Sequence, residues 1–306
     1  MTDTVTDTVT DTVTDTVTDI PAAGAVAGRL AALREFVAGA APVVVAFSGG
    51  VDSSLLAWVA NDELGPQRVH AVTAVSPSLA ASERDAARRL AEDWGLRHTE
   101  VETTEMENAA YRVNDAHRCA HCKDALMDAL GPVAAAERAT VTLGVNVDDL
   151  GDHRPGIDAA RRRGARFPLV EAGFTKDAVR AAARALGLSV WDKPAAPCLA
   201  SRLPYGTPVS APVLRAVGRA EAALAGLGFD ELRVRHYDES ARIEVPPGRL
   251  ADVVAARAAV VAAVQAAGYR YVTLDLEGLR SGNLNAALGE PAATPSPDSR
   301  AASAAG

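Results

Sequence analysis

Ser48-Gly49-Gly50-Val51-Asp52-Ser53-Ser54 lies between the apolar run Val43-Val44-Val45-Ala46-Phe47 and the run Leu55-Leu56-Ala57-Trp58. The pattern reads as a buried strand, a sharp turn permitted by paired glycines, and a helix whose first amides point back into the turn. Unpaired N–H groups and the positive end of the helix dipole converge there, so the turn is suited to hold an anion such as a phosphate. Ser48, Ser53 and Ser54 add hydroxyl donors. Asp52, a carboxylate beside a phosphate cradle, is expected to hold Mg²⁺ or to orient the loop. The G-x-x-x-x-G-K-[ST] spacing of kinase-type phosphate loops is absent, together with its lysine. Transfer of a terminal phosphate is therefore not the expected chemistry.

A second group of reactive residues is the thiols. The chain has 3 cysteines. Cys119 and Cys122 stand in His117-Arg118-Cys119-Ala120-His121-Cys122-Lys123, and Cys198 is far downstream. A C-x-x-C pair of this kind has several meanings. It can be a redox pair, although that motif belongs at the start of a helix after a first strand. It can be part of a zinc site completed by Cys198 and by His117 or His121. It can hold a [4Fe–4S] cluster with Cys198, leaving one iron without a protein ligand. Inert buried thiols are the bland reading. The prolines at 194, 197 and 204 exclude a regular helix around Cys198 and hold it in a constrained loop. Lys193 and Arg202 flank it, and positive neighbours favour a thiolate.

These residues need elements to position them. Residues 22–38 read as an amphipathic helix, followed by the strand and turn at Ser48. Strands at 69–75, 98–101 and 140–145 alternate with helices near 82–94 and 123–130, the pattern of an α/β, doubly wound parallel sheet covered on both faces. Ligands of such sheets bind at the carboxyl ends of the strands, which places the Ser48 turn where a nucleotide would sit. Asn146 to Gly156 leaves such a strand end with Asp148, Asp149, Asp152 and Arg154. It reads either as a solvated turn or as a loop holding Mg²⁺ or the reacting carboxylate, with Arg154 paired to an anion. Thr175 caps a helix running to Leu186. From Ala211 the order helix, strand, strand, helix, strand predicts a smaller C-terminal α+β domain.

The expected division is thus a large domain at 22–207 and a small one at 208–288. The Thr-Asp-Thr-Val repeat within 1–21 and the Ala/Pro/Ser stretch at 289–306 read as disordered tails. At 306 residues and 48% hydrophobic the chain suits two domains with a sizeable core. A net charge of −8 disfavours nucleic acid as a partner. No apolar run is long enough for a membrane span, no secretory signal opens the chain, and an odd cysteine count fits a reducing, cytoplasmic setting.

The Ser48 stretch resembles the SGGxDS signature of the PP-loop ATP pyrophosphatases, which cut ATP between its first two phosphates and attach AMP to a substrate oxygen. Taken with the 148–156 segment, Lys193-Pro194, Cys198-Leu199-Ala200-Ser201-Arg202, Pro204-Tyr205-Gly206 and the ending Leu274-Asp275-Leu276-Glu277-Gly278…Arg280-Ser281-Gly282-Asn283, the chain is similar to the LarE family from about Leu30 to Leu288. These are ATP-dependent sulfurtransferases of nickel-pincer nucleotide cofactor biosynthesis. The resemblance implies ATP and Mg²⁺ as cofactors, with Asp52 and Asp149 near the chemistry. It implies a small-molecule substrate, pyridinium-3,5-biscarboxylic acid mononucleotide, adenylylated on a carboxylate and converted to a thiocarboxylate. Cys198 matches the sulfur-bearing cysteine. The added Cys119 and Cys122 resemble the cluster-dependent tRNA thiolases and point to a [4Fe–4S] cluster on Cys119, Cys122 and Cys198 as sulfide carrier. Ser48, Gly49, Gly50, Asp52, Ser53, Ser54, Arg154, Arg202 and Ser281 are the implied ligand-binding positions, and Arg233, Arg235 and Arg280 match family arginines that bind anionic groups. Glu221 and Asp252 match acidic positions tied to metal at subunit contacts, which implies a homo-oligomer. A tRNA thiolase and a non-catalytic nucleotide-binding module are the competing readings.

Overall fold

A computed structural model describes residues 23–151 and 155–280. The expected tails at 1–21 and 289–306, together with Arg154 and Ser281, lie outside the described residues.

The chain opens with α1 (Ala23–Ala40), then β1 (Val43–Ala46), α2 (Val51–Leu64), β2 (Val69–Val75), α3 (Ala81–Asp93) and β3 (His98–Glu102). A 3₁₀ turn (Glu105–Glu107) and the short α4 (Ala109–Val113) lead into α5 (Arg118–Glu137) and β4 (Thr140–Leu143). After α6 (Pro155–Arg162), α7 (Pro168–Glu171) and α8 (Lys176–Ala185) comes the proline-rich stretch, which contains a 3₁₀ turn at Leu199–Arg202.

The four strands form one parallel sheet in the order β3-β2-β1-β4. The chain steps outward from β1 through β2 to β3, then returns over the sheet to β4 on the other side of β1. Connections leave β1 and β4 in opposite directions, opening a crevice at their carboxyl ends. Alternation along β1 shows why both faces are covered. Val43, Val45 and Phe47 pack with α1, α2 and α8 through Leu33, Leu55 and Val179, while Val44 packs with Leu130 of α5 and Leu143 of β4. The expected doubly wound α/β fold is the one observed.

The second sheet is smaller. After α9 (Ala211–Ala225), β5 (Arg233–Tyr237) and β6 (Ser240–Glu244) pair as an antiparallel hairpin. Helices α10 (Leu250–Ala255) and α11 (Arg257–Ala266) cross over to β7 (Tyr271–Leu274), which lies parallel to β6. The one helix expected before the last strand is thus two, meeting at Ala256. Its core joins Leu214, Val217, Val234, Ile243 and Val264 to Leu199, Ala200 and Leu203, so the residues after Cys198 pack with the small sheet.

One element differs from expectation in a way that matters. The helix expected near 123–130 runs from Arg118 to Glu137 and includes both Cys119 and Cys122, with Pro132 inside it. Gly131 and Pro132 suggest an earlier stop. Yet Leu130 and Ala134, either side of the proline, are both buried against the sheet, and that packing outweighs a lost backbone bond.

Candidate active site

The turn at Ser48 is a self-bonded cradle. Gly49 takes φ +69°, and a Cβ there would come within 3.0 Å of the Ala87 Cα, so the position suits glycine on both counts. The Ser53 hydroxyl donates to Gly50 O (3.1 Å) and accepts from Ser48 N (3.2 Å), and the Ser48 and Ser53 hydroxyls lie 3.0 Å apart. Ser54 Oγ is fully buried and meets no hydrogen-bond partner among the described residues. Lys193 reaches in from the proline-rich stretch, its ammonium donating to Gly49 O (3.1 Å) and pairing with Glu83 of α3 (2.8 Å).

Gly144, at the end of β4, faces this turn. A Cβ there would stand 2.6 Å from Ser53 N and 2.8 Å from Ser53 Cα, so β4 approaches α2 backbone to backbone. Two residues on, Asn146 caps the 3₁₀ turn Val147–Leu150, and its side-chain amide donates to Asp52 Oδ1 (2.9 Å). Asp149 closes a capping box by accepting from Asn146 N (3.1 Å), and Asp148 accepts from Lys176 N (2.7 Å). The other oxygen of Asp52 is bonded by the Lys176 ammonium. Asp52 thus has the Asn146 amide and the Lys176 ammonium as its side-chain partners among the described residues. Lys176 was missed because it comes from the first turn of α8, 124 residues away in sequence.

A cavity of about 290 Å³ opens over the crevice between β1 and β4. Ser48, Gly50, Asp52 and Ser53 line it, and so do Glu105, Cys122, Lys123 and Cys198. The fold thus brings Cys198 to the same space as the phosphate turn. Cys119 and Cys122 lie one turn apart at the start of α5, a spacing that puts them on one face near the positive end of a helix. Cys119 and Cys198 are exposed and Cys122 is half-buried. Burial pushes the Cys122 thiol up to about 12, against the pull of Lys123, and Cys198, Glu105 and Cys119 add to the rise. Cys119 packs under Gly156, where a Cβ would come 2.9 Å from the Cys119 carbonyl oxygen.

Arg118 ties these pieces together. It is 7% exposed and donates from one nitrogen to Asn114 Oδ1 (2.5 Å) and to Ala200 O (2.8 Å), linking α5 to the Cys198 loop. Burial works against its charge, but the negative potential of Cys198 and Cys119, then of Tyr111 and Tyr205, raises the guanidinium pKa above its ordinary value. Asn114, fully buried in a left-handed conformation, donates to Pro204 O and Thr207 O on the same loop. Leu199 N donates to Ser78 O (2.8 Å). Among the described residues no three His, Cys, Asp or Glu side chains converge tightly enough to hold one metal ion. Of the three thiols, Cys122 and Cys198 line the cavity, and Cys119 stands one turn before Cys122 on α5.

The arginines divide by partner. The two expected to charge the flank of Cys198 differ from one another in detail but are both paired: Lys193 with Glu83, and Arg202, 6% exposed, in a two-pronged ion pair with Glu221 of α9. Glu221 also accepts from Val234 N, and Asp252 pairs with Arg249, so both acidic positions are engaged within the chain. Arg235 is 2% exposed, bonds Glu244 through two nitrogens and donates to Ser201 O (2.8 Å). Arg280 pairs with Glu277. Arg233 donates to Arg280 O and makes no ion pair among the described residues. Burial lowers its pKa from the ordinary value, and the nearby charges of Arg235 and Arg202 lower it further. Glu244 and Glu221 act in the opposite sense and support its charge.

Comparison with known proteins fits this arrangement. Residues 30–135 match the asparagine synthase family, which covers the phosphate turn and the start of α5. An uncharacterized protein of Synechocystis sp. is 46% identical over 263 residues, 85% of this chain and 98% of that one. The pyridinium-3,5-bisthiocarboxylic acid mononucleotide synthase of Lactiplantibacillus plantarum is 39% identical over 247 residues, 80% of this chain and 90% of that enzyme. An uncharacterized protein of Methanocaldococcus jannaschii is 23% identical over 240 residues.

Proposed function

The chain belongs to the LarE family of PP-loop, ATP-dependent sulfurtransferases, and from that premise we propose that it converts a carboxylate of pyridinium-3,5-biscarboxylic acid mononucleotide to a thiocarboxylate in nickel-pincer cofactor biosynthesis. The observation that carries this reading is the shared cavity: the anion-holding turn and Cys198 face one space. A carboxylate is a poor electrophile, because its charge repels nucleophiles and oxide is a poor leaving group. Its attack on the α-phosphorus of ATP forms an acyl adenylate and releases pyrophosphate, which removes both obstacles. Sulfur then adds at the carbonyl carbon and AMP departs with the C–O bond electrons.

The chain's own groups have definite tasks in this scheme. The Ser48 turn and the amides of α2 hold the phosphates, and the Lys176 ammonium offsets the charge growing on pyrophosphate. ATP arrives as its Mg²⁺ chelate, and no step is assigned to an ion held by Asp52. Asn146 and Asp149 fix the loop that orients Asp52. Arg233 binds the phosphate of the mononucleotide. Cys119, Cys122 and Cys198 would hold the [4Fe–4S] cluster, whose chemistry is to supply a soft sulfide without consuming the cysteine's own sulfur.

The test has two parts. Purified protein given ATP and the biscarboxylate mononucleotide should release pyrophosphate only when both are present; release of none would leave a nucleotide-binding module. Anaerobic reconstitution should give a broad visible absorbance that is lost in Cys119→Ala, Cys122→Ala or Cys198→Ala. A colourless protein that transfers sulfur while Cys198 loses the mass of its own sulfur would replace the cluster by a sacrificial cysteine.

A further inference from the structure

Glu105 is the one cavity-lining carboxylate besides Asp52 named above, and no role has yet been given to it. It begins the 3₁₀ turn after β3 and lines the same cavity as Cys122, Lys123 and Cys198. It is 3% exposed, and its Oε2 meets no hydrogen-bond partner among the described residues. Ser78, which lines the same cavity, has its hydroxyl bonded to that of Tyr111 at 2.6 Å. Glu105 also makes no ion pair among the described residues. A buried carboxylate left in this state costs folding free energy, and a chain tolerates it only where the group is used. Its surroundings sharpen the puzzle. Glu105 adds to the negative potential on both Cys122 and Tyr111, so it stands in a space already crowded with thiols.

Carboxylates and a phosphate brought into that space can be met by Lys123 and the Ser48 turn, but none of them gives Glu105 a partner of opposite sign. The proposed acceptor has one feature of opposite sign, the delocalised positive charge of its pyridinium ring. The ring must approach the thiols, because the carboxyl carbon that takes sulfur is bonded directly to it. We infer that Glu105 is a specificity-determining residue that faces the cationic ring of the acceptor and selects it over uncharged aromatic dicarboxylates. The inference rests on the functional reading above and deepens it, since that reading names the acceptor but not what recognises its charge.

The experiment compares the pyridinium mononucleotide with its benzene C-nucleotide analogue, which has the same carboxylates and phosphate but no ring charge. Wild-type protein should show a KM for the charged acceptor at least about tenfold below that for the neutral one. Glu105→Gln, which keeps shape and removes charge, should erase the difference while leaving ATP affinity within about twofold, measured by direct binding. Glu105→Asp should retain part of the preference. Without ligands, Glu105→Gln should melt at a higher temperature than wild type, because the unpaired charge is gone; this readout also certifies folding. A Glu105→Gln protein that still prefers the charged ring, or that loses ATP affinity instead, overturns the inference alone. A wild type indifferent to ring charge does the same. A wild type that releases no pyrophosphate with either acceptor overturns the functional reading and this inference with it.

Discussion

Asp52 and Lys176 show how a residue-level reading can be right about place and incomplete about partners. The types and spacing around Ser48 point to a phosphate cradle, and the structure supplies the hydroxyl and amide geometry of one. The same local view finds no lysine, because Lys176 enters from another helix. Its pair with Asp52 is part-exposed, at 34% and 19%, so its contribution to stability is no more than about 1 kcal/mol. In the proposed mechanism its electrostatic contribution to the reaction is the larger one, since positive charge near a departing pyrophosphate acts where charge develops. Lys176→Ala should lower the rate of pyrophosphate release about 10²–10³-fold with little change in melting temperature. Lys176→Arg should recover part of the loss. A variant with weaker ATP binding but unchanged turnover would assign Lys176 to ground-state binding only. The thiols were legible in the same partial way: Cys198 was expected in a constrained loop, but Arg118, the cation that feels Cys198 and Cys119, stands unremarked just before the C-x-x-C motif.

Elements were easier to read than their ends. The run 69–75 is a strand over the residues expected, because a short valine-rich stretch between turns, interrupted only by His70 and Thr73, has few other uses. Thr175 caps α8 as its sequence suggests, accepting from Ala178 N. The start of α5 could not be read, since its first turn carries no acidic residue and its N-cap, His117, makes no side-chain bond. Nor could the contact of β4 with α2, because a glycine that permits close approach looks like any other glycine until its neighbour is known. Gly144→Ala tests that contact. The added methyl would overlap backbone atoms of Ser53, which cannot rotate away, so α2 must shift by a few tenths of an ångström or more. The stability cost should be about 1–3 kcal/mol, in line with an overpacked core. ATP affinity should fall by more than about tenfold, because the displaced residues are those of the cradle. Normal ATP binding in a destabilised Gly144→Ala protein would show that the turn tolerates the shift.

At the scale of the whole molecule, the Cys198 loop is gripped from two sides. Ser78 O and Arg118 hold it to the parallel sheet, while Leu199, Ala200 and Leu203 pack into the core of the small sheet. Arg235 makes the second grip polar as well as apolar: it is buried against the fully buried Glu244 and donates to Ser201 O. The family resemblance casts Arg235 as an anion binder, and the geometry gives it a structural task. The two roles separate by experiment. Arg235→Ala strands Glu244, and breaking a buried pair this way costs about 3–5 kcal/mol. At about 2–4 °C per kcal/mol the melting temperature should drop by about 10 °C or more. Replacing both partners, Arg235→Met with Glu244→Leu, removes the stranded charge and should restore most of that stability, with Arg242 keeping its contact to Asp275 at 3.4 Å. If Arg235 binds the mononucleotide, the restored double variant still shows a raised KM for it. If Arg235 serves only to seat the Cys198 loop, KM stays near wild type and Arg233→Ala raises it instead. A double variant as unstable as Arg235→Ala would mean that the bond to Ser201, rather than the ion pair, holds the two sheets in register around the site.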